Sequence, residues 1–279
     1  MVSEEKIKEL ARFAADIRIA ALEEFKAIGI GHVGGTMSAC DLMACLYGGV
    51  MNIDPKNPQW ELRDRFIMSK GHAGPARYAA LALRGYFDRR ELLTLNQPGT
   101  MLPSHTDANR TPGVDMTTGS LGQGFSTGLG IALGCKKKKL DNYVYILLGD
   151  GECEEGQVWE GAIFAPAKGL TNVIGFVDYN GLQLCGSLEE VAGFSDIGGK
   201  FRAFGWHVVE VDDGNDIAQI LAAIDAAKAE RDKPSMIILH TKKGKGCCFA
   251  EDVFNHNMAV SPEQAEQAIA ALEAYKAGL

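Results

Sequence analysis

Long apolar runs are missing from this 279-residue sequence: none reaches the roughly 20 residues that a bilayer-crossing helix needs, so no membrane role is expected. The opening residues MVSEEKIKEL are acidic and mixed rather than basic then apolar, and read as the start of a helix instead of a signal peptide. C-x-x-C pairs are also missing. The seven cysteines are odd in number and sit mostly among apolar or small residues, the pattern of reduced thiols in a cytoplasmic protein, which argues against a zinc site. Positive charge is in deficit, with 28 Lys and Arg against 36 Asp and Glu, so no nucleic-acid surface is expected. The single basic run, Lys136 to Lys139, follows a Gly/Ala-rich helical stretch and suits the negative end of a helix dipole. Neither a repeat nor a low-complexity linker divides the chain, so residues 1–279 are expected to form one domain.

What is present is apolar content of 46% and 33 glycines, enough for one α/β domain with a sizeable core. Ser3 followed by Glu4 and Glu5 starts a helix in which Ile7, Leu10, Ala14, Ile17 and Ala21 recur at helical spacing, ending near Gly29. Further helical patterns begin in TMSACDLMACLYGGV and PARYAALALRGYF, each closed by glycine. From Tyr143 the chain alternates: strand YVYILLG, helix EEGQVWEGAIFAPAKG, strand NVIGFVD, helix SDIGGKFRAFG, strand WHVVEV, helix NDIAQILAAIDAAKAE, strand SMIILH. Continuous apolar strands separated by such helices predict an α/β fold with a mostly parallel central sheet and helices on both faces. Ligands of such sheets lie outside the carboxyl ends of the strands.

The stretch LLGDGECEEG places Asp150, Glu152, Glu154 and Glu155 directly after an apolar strand. Asp150 falls at the carboxyl end of that strand, and Asn180 falls just past the end of the next one. Magnesium takes near-octahedral oxygen ligands, usually one or two carboxylates completed by substrate phosphates, and one Asp with one Asn amide oxygen meets that demand. Gly149 and Gly151 let the backbone approach a phosphate at the start of the following helix. Glu152 and Glu154 are explained as first-turn acids complementing the helix dipole. Alone, G-D-G is a common turn and N-G a common hairpin signal, but a hairpin at Asn180 conflicts with the strand–helix alternation around it.

GDGECEEGQVWEGAIFAPAKGLTNVIGFVDYNGLQLCG is similar to the thiamine diphosphate signature, and in form it resembles the transketolase family most. GHVGGTMSACDLMACLYGGVMNIDPKNPQWELRDRFIMSKGHAG and LPSHTDANRTPGVDMTTGSLGQGFSTGLGIALG resemble transketolase segments too, in the expected order. The resemblance implies that Asp150, Asn180 and the carbonyl of Leu182 bind magnesium, or calcium or manganese in its place. It also puts Gly151 against the diphosphate, and Gly119, Leu121, Gly122, Gln123, Gly124 and Leu184 beside the cofactor. Three of the six histidines lie in Gly- or Ser-flanked loops, His32 in GHVGG, His72 in SKGHAG and His105 in PSHTD. Their separations match no zinc spacing. By resemblance they line the channel to the cofactor and touch its phosphates or the hydroxyls of the donor ketose, work that imidazole suits near neutral pH. Glu155 matches the acid that reaches across the subunit interface toward the glutamate activating the cofactor. Trp159 reads as core, and His207 and His240 as structural residues.

Two departures qualify the resemblance. Where the family carries a histidine-rich loop, this chain reads TKKGKGCCFAEDVFNHNMAV, in which only His256 is available for a catalytic role. Lys243 there reads as a solvated loop charge, whereas Lys245 lies either near the phosphates or in solvent. Second, the likeness covers only the diphosphate- and metal-binding part of a transketolase. The pyrimidine-binding and C-terminal domains, with the activating glutamate, are therefore expected on a partner chain, a C-terminal transketolase subunit in an α2β2 assembly. The implied activity moves a two-carbon ketol unit from a ketose to an aldose, free or phosphorylated, with the cofactor as nucleophile. Deoxyxylulose-phosphate-synthase-like, 2-oxoacid dehydrogenase α-like and acyloin-forming enzymes share the magnesium signature, and a non-catalytic cofactor-binding subunit is a further alternative.

Overall fold

The computed structural model describes residues 2–254 and 256–279. Helix α1 spans Glu4–Ile28; Ser3 caps it by accepting from the Lys6 amide at 3.2 Å, and Gly29, at φ 80°, ends it by donating to the Phe25 carbonyl. The second helical pattern starts earlier than the sequence suggests and is broken at Ala39, giving α2 (Val33–Ser38) and α3 (Cys40–Cys45). Helix α4 is Gly74–Leu83 and α5 is Gln123–Lys137. The alternating half reads β3 (Val144–Gly149), α6 (Gly156–Ala167), β4 (Val173–Tyr179), α7 (Leu188–Ala192), α8 (Ile197–Ala203), β5 (His207–Val211), α9 (Ile217–Ala229) and β6 (Ser235–His240). Helix α10, Pro262–Ala277, packs along α1.

One strand of the main sheet and two short outlying strands escape the sequence pattern. Strand β2, Arg65–Met68, is only four residues long and opens with an arginine, so its apolar run is too brief to stand out. It forms one edge of a five-stranded sheet in the order β2-β3-β4-β6-β5, in which each neighbouring pair is parallel. Two further short strands, β1 (Ile30–Gly31) and β7 (Met258–Ala259), pair antiparallel and clip the segment after α1 to the segment before α10.

Alternation along the strands divides the core in two. Val144, Ile146 and Leu148 pack with Phe125, Leu129, Val158, Ala162, Ile197 and Phe201 from α5, α6 and α8. Tyr145 and Leu147 face the other way, into a larger cluster built from α1, α3, α4 and α9. Lys136, in the last turn of α5, donates to the carbonyls of Lys168 and Gly169 and so caps the neighbouring helix α6. All seven cysteines are free thiols. Among the described residues, no helix is long and apolar enough to cross a membrane.

Glu24 is a cost within the larger cluster. Its side chain is fully buried on α1, and neither carboxyl oxygen has a hydrogen-bond partner among the described residues. Burial, with Glu23 nearby, holds its pKa well above the ordinary carboxylate value, so the folded chain keeps the proton that the unfolded chain releases. Stability is therefore lost as pH rises above the unfolded value near 4.5. Glu24→Met is expected to stabilise the chain by ~1–3 kcal/mol, with a larger gain at pH 8 than at pH 5. Urea unfolding midpoints at the two pH values check this, and an equal or negative change at pH 8 contradicts it.

Candidate active site

Because β2, β3, β4 and β6 run parallel, their carboxyl ends deliver Ser69 and Lys70, Asp150, Asn180, and Thr241 with Lys243 to one rim of the sheet. Adjacent strands β3 and β4 are in register with Gly149 opposite Asp178, which sets Asp150 beside Asn180. The rim opens into a cleft of about 240 Å3. Of the residues expected from the sequence, His72, Leu121, Asp150, Gly151, Asn180, Leu182, Leu184 and His256 line it.

The buried Asp150 carboxylate holds the loop after β4 in place. One oxygen accepts from the amides of Asn180 and Gly181 at 2.8 and 2.6 Å, and the other from the Gly151 amide at 2.8 Å. The Asn180 side-chain oxygen in turn accepts from the Leu182 amide at 3.2 Å. Burial, and then the charge of Asp178, push the Asp150 pKa up to about 6 against the pull of the amides. A carboxylate so disfavoured is one that a divalent cation would relieve. A donor set of the Asp150 carboxylate, the Asn180 amide oxygen and the Leu182 carbonyl, as the resemblance implies, would be hard oxygen, suited to magnesium or calcium rather than zinc. No three His, Cys, Asp or Glu side chains converge on a metal among the described residues, so the remaining ligands would come from phosphate and water. Thiamine diphosphate with a divalent ion fits this cleft.

The four loop histidines come together. Ring centroids of His32 lie 5.5, 6.0 and 4.9 Å from those of His72, His105 and His256, and His72 and His256 are 4.6 Å apart. His256 thus joins the cluster despite its unfamiliar loop. Close packing requires glycine: a Cβ at Gly35 would meet His72 Nε2 at 3.0 Å and Lys70 Nζ at 3.4 Å, and a Cβ at Gly71 would meet the Gly119 amide at 2.8 Å. The Gly119–Gly124 loop stands behind the cluster, with Gly119 against the His105 ring and Gly122 against Glu155. Glu155 is exposed outside the cleft at the start of α6.

Burial first, then like-charged neighbours, lowers the pKa of all four histidines: His72 well below its ordinary value, His256 to about 4, and His32 and His105 in the same direction, the last by burial alone. They are therefore neutral at pH 7, each able to donate one hydrogen bond and accept another. Because the folded values lie below the unfolded value, the unfolded chain binds more protons between pH 6.5 and 4, and stability must fall as pH drops through that window. In His72→Asn the thermal melting temperature is expected to fall less steeply from pH 6.5 to 4.5 than in the native chain; identical slopes would contradict this.

Two sequence readings need correction. Glu152, expected only to complement a helix dipole from the first turn, is a buried anchor: it accepts from Ser69 Oγ at 2.5 Å, the Gly122 amide at 2.8 Å and the Gly149 amide at 3.0 Å. It ties the Gly119–Gly124 loop to the ends of β2 and β3. Lys243 is not a solvated loop charge; it is buried in the cleft and donates to the Leu182 carbonyl at 3.2 Å. Lys245 faces a separate cavity with Arg18, Asp41 and Tyr275. Glu154 pairs with Gln183 across the Asp150 and Asn180 loops.

Sequence reasoning also missed a buried pair. The Lys70 ammonium bonds Asp178 and the Gly35 carbonyl, while Asp178 further accepts from Ser38 Oγ at 2.6 Å and from Thr241 Oγ1. This network joins the ends of β2, β4 and β6 to α2 beneath the cleft. A lone Asp inside the apolar run NVIGFVD was the available signal, since a strand buried on both faces keeps a carboxylate only when it is paired.

Comparison with known proteins agrees with this geometry. The sequence profile of the transketolase thiamine diphosphate-binding domain matches residues 10–274. The 6-deoxy-6-sulfo-D-fructose transketolase subunit of a Clostridium species is 50% identical over 98% of both chains. An apulose-4-phosphate transketolase subunit of Phocaeicola vulgatus is 36% identical, over 86% of this chain and 85% of that one. Among solved structures, the transketolase of Leishmania mexicana superposes with a TM-score of 0.87 at 31% identity, over 99% of this chain and 42% of that chain. A Pichia stipitis transketolase complexed with sedoheptulose 7-phosphate gives 0.86 at 30% identity, with 45% of its chain covered. The chain thus spans nearly all of the subunit relatives but less than half of the solved transketolases. Profile, subunit relatives and fold together place this chain in the transketolase family, as its thiamine diphosphate-binding portion.

Proposed function

We propose that the chain is the cofactor-holding subunit of a split transketolase, a single diphosphate-binding domain whose pyrimidine-binding and C-terminal parts lie on a partner subunit in an α2β2 assembly. The observation that carries this reading is the convergence of Asp150, Asn180 and Leu182 with His72 and His256 in one cleft, with His32 and His105 packed against those two histidines. Relatives named as subunits support the partner, and the exposure of Glu155, outside the cleft, leaves it available to one. Seven free cysteines support a cytoplasmic location.

When bound, thiamine diphosphate supplies the nucleophile that opens the ketose carbon–carbon bond. Asp150, Asn180 and the Leu182 carbonyl would hold a magnesium ion, with Gly151 leaving the backbone room for a diphosphate and Leu121 and Leu184 available to the cofactor in the same cleft. His32, His72, His105 and His256 would hydrogen-bond the donor hydroxyls and give or take protons there. Transfer of a ketol unit is favoured over 2-oxoacid chemistry by the transketolase relatives. Their names support a donor ketose carrying a sulfonate or phosphate.

Titration calorimetry with magnesium and thiamine diphosphate, on the chain alone and with its partner, tests the reading. Metal-dependent binding that tightens with the partner, followed by turnover of 6-deoxy-6-sulfo-D-fructose or fructose 6-phosphate with an aldose acceptor, is the expected outcome. No metal-dependent binding in either state would overturn it.

A further inference from the structure

Lys243 and the proposed metal compete for one oxygen. The Lys243 ammonium donates to the Leu182 carbonyl at 3.2 Å, and that carbonyl is the third protein ligand in the function proposed above. The lysine is held there by its backbone. The Lys243 carbonyl accepts from the Asp252 amide at 2.9 Å, the next amide, of Gly244, donates to the Gly34 carbonyl at 3.0 Å, and the methylene stem passes so close to Gly34 that a Cβ there would meet Lys243 Cγ at 2.9 Å. Only the end of the side chain is left to move. Lys243 is 3% exposed, and Asp150, Asp178 and Lys70 all act on it electrostatically.

A divalent ion on the Leu182 carbonyl would sit within a few ångströms of this ammonium, and two cations on one buried oxygen repel strongly where the dielectric is low. Building on that function, we propose that Lys243 is an internal surrogate cation that blocks the metal position until a diphosphate arrives. The ammonium must then leave Leu182, and the incoming phosphate charge is the partner that lets it do so inside the same cleft. Metal and thiamine diphosphate consequently bind with positive coupling, each raising the affinity for the other by the same factor.

Manganese serves as the probe, its binding to the full chain followed by electron paramagnetic resonance with and without thiamine diphosphate. The native chain is expected to bind manganese alone weakly and about tenfold or more tightly with the cofactor present. Lys243→Met keeps the length of the stem and removes the charge; it is expected to bind manganese alone about tenfold more tightly, with the coupling largely lost. Lys243→Arg, which keeps the charge, is expected to retain the coupling, and Lys243→Gln substitutes for the methionine variant if that chain does not fold. Manganese affinity without cofactor that stays unchanged, falls or is undetectable in the uncharged variants overturns the inference. Asp150→Ala separates the two levels. If it binds manganese as the native chain does, the metal position itself is wrong; if it loses manganese while Lys243→Met shows no gain, only the surrogate-cation inference fails.

Discussion

Asp150→Asn is expected to weaken metal-dependent binding of thiamine diphosphate at least ~100-fold, with transketolase activity lost in parallel, because the amide removes the only carboxylate of the proposed donor set. The substitution is nearly isosteric, so the loop after β4 keeps an oxygen for the Asn180 and Gly181 amides, 2.8 and 2.6 Å from the native carboxylate. Without metal, stability should hold or rise. The native carboxyl has its pKa raised to about 6 by burial and by Asp178, so its ionisation opposes folding as pH rises from the unfolded value, and the penalty is complete above that folded value. The NH2 group facing the Gly151 amide offsets part of the gain. Calorimetric titration and thermal melting at pH 7 measure the two effects, which should move in opposite directions. Undiminished cofactor binding would sink the metal assignment.

Glu152→Ala should produce the largest loss of stability of any change at the rim, ~3–5 kcal/mol, because it strands the Gly122 and Gly149 amides and the Ser69 hydroxyl in a buried position. The damage is not local to β3. Freed from Glu152, the Gly119–Gly124 loop loses its link to the sheet, and cofactor affinity should fall although this carboxylate is no metal ligand. Glu152→Gln, which retains one acceptor, should lie between the two. Urea unfolding decides the matter: a change within ~0.5 kcal/mol for the alanine variant would return Glu152 to the role of a first-turn acid that only complements the helix dipole.

The contrast between Asp150 and Glu152 shows what sequence can and cannot reveal here. Asp150 is legible because its meaning is local: it ends a continuous apolar strand, glycines flank it, and Asn180 ends the next strand. Strands β3 to β6 are legible for the same reason, as apolar runs between helices. Glu152 reads as a first-turn acid because nothing near it in the chain shows that the Gly119–Gly124 loop folds onto it. The pairing of Lys70 with Asp178 is hidden by the same distance: the lone Asp178 in an apolar strand signals that it needs a partner, but only β2 and β4 lying either side of β3 shows that the partner is Lys70. Lys243 is disguised by its company in TKKGKG, a sequence that reads as solvated. Short β2 fails for a different reason, an apolar run too brief to register as a period.

The two-residue clip between β1 and β7 lies directly against the histidine cluster, with His32 following one strand and His256 preceding the other. During synthesis His32 leaves the ribosome early, but its neighbour His256 emerges roughly 200 residues later, on the order of 10–40 s at ordinary elongation rates. All five strands of the main sheet precede His256 in the chain, whereas α10, which adds Ala265, Ala268 and Leu272 to the larger core cluster, follows it. The histidine cluster and the seam between α1 and α10 thus both wait for the last residues of the chain, so a product terminated before residue 256 lacks one histidine of the cluster and the helix that covers α1 together.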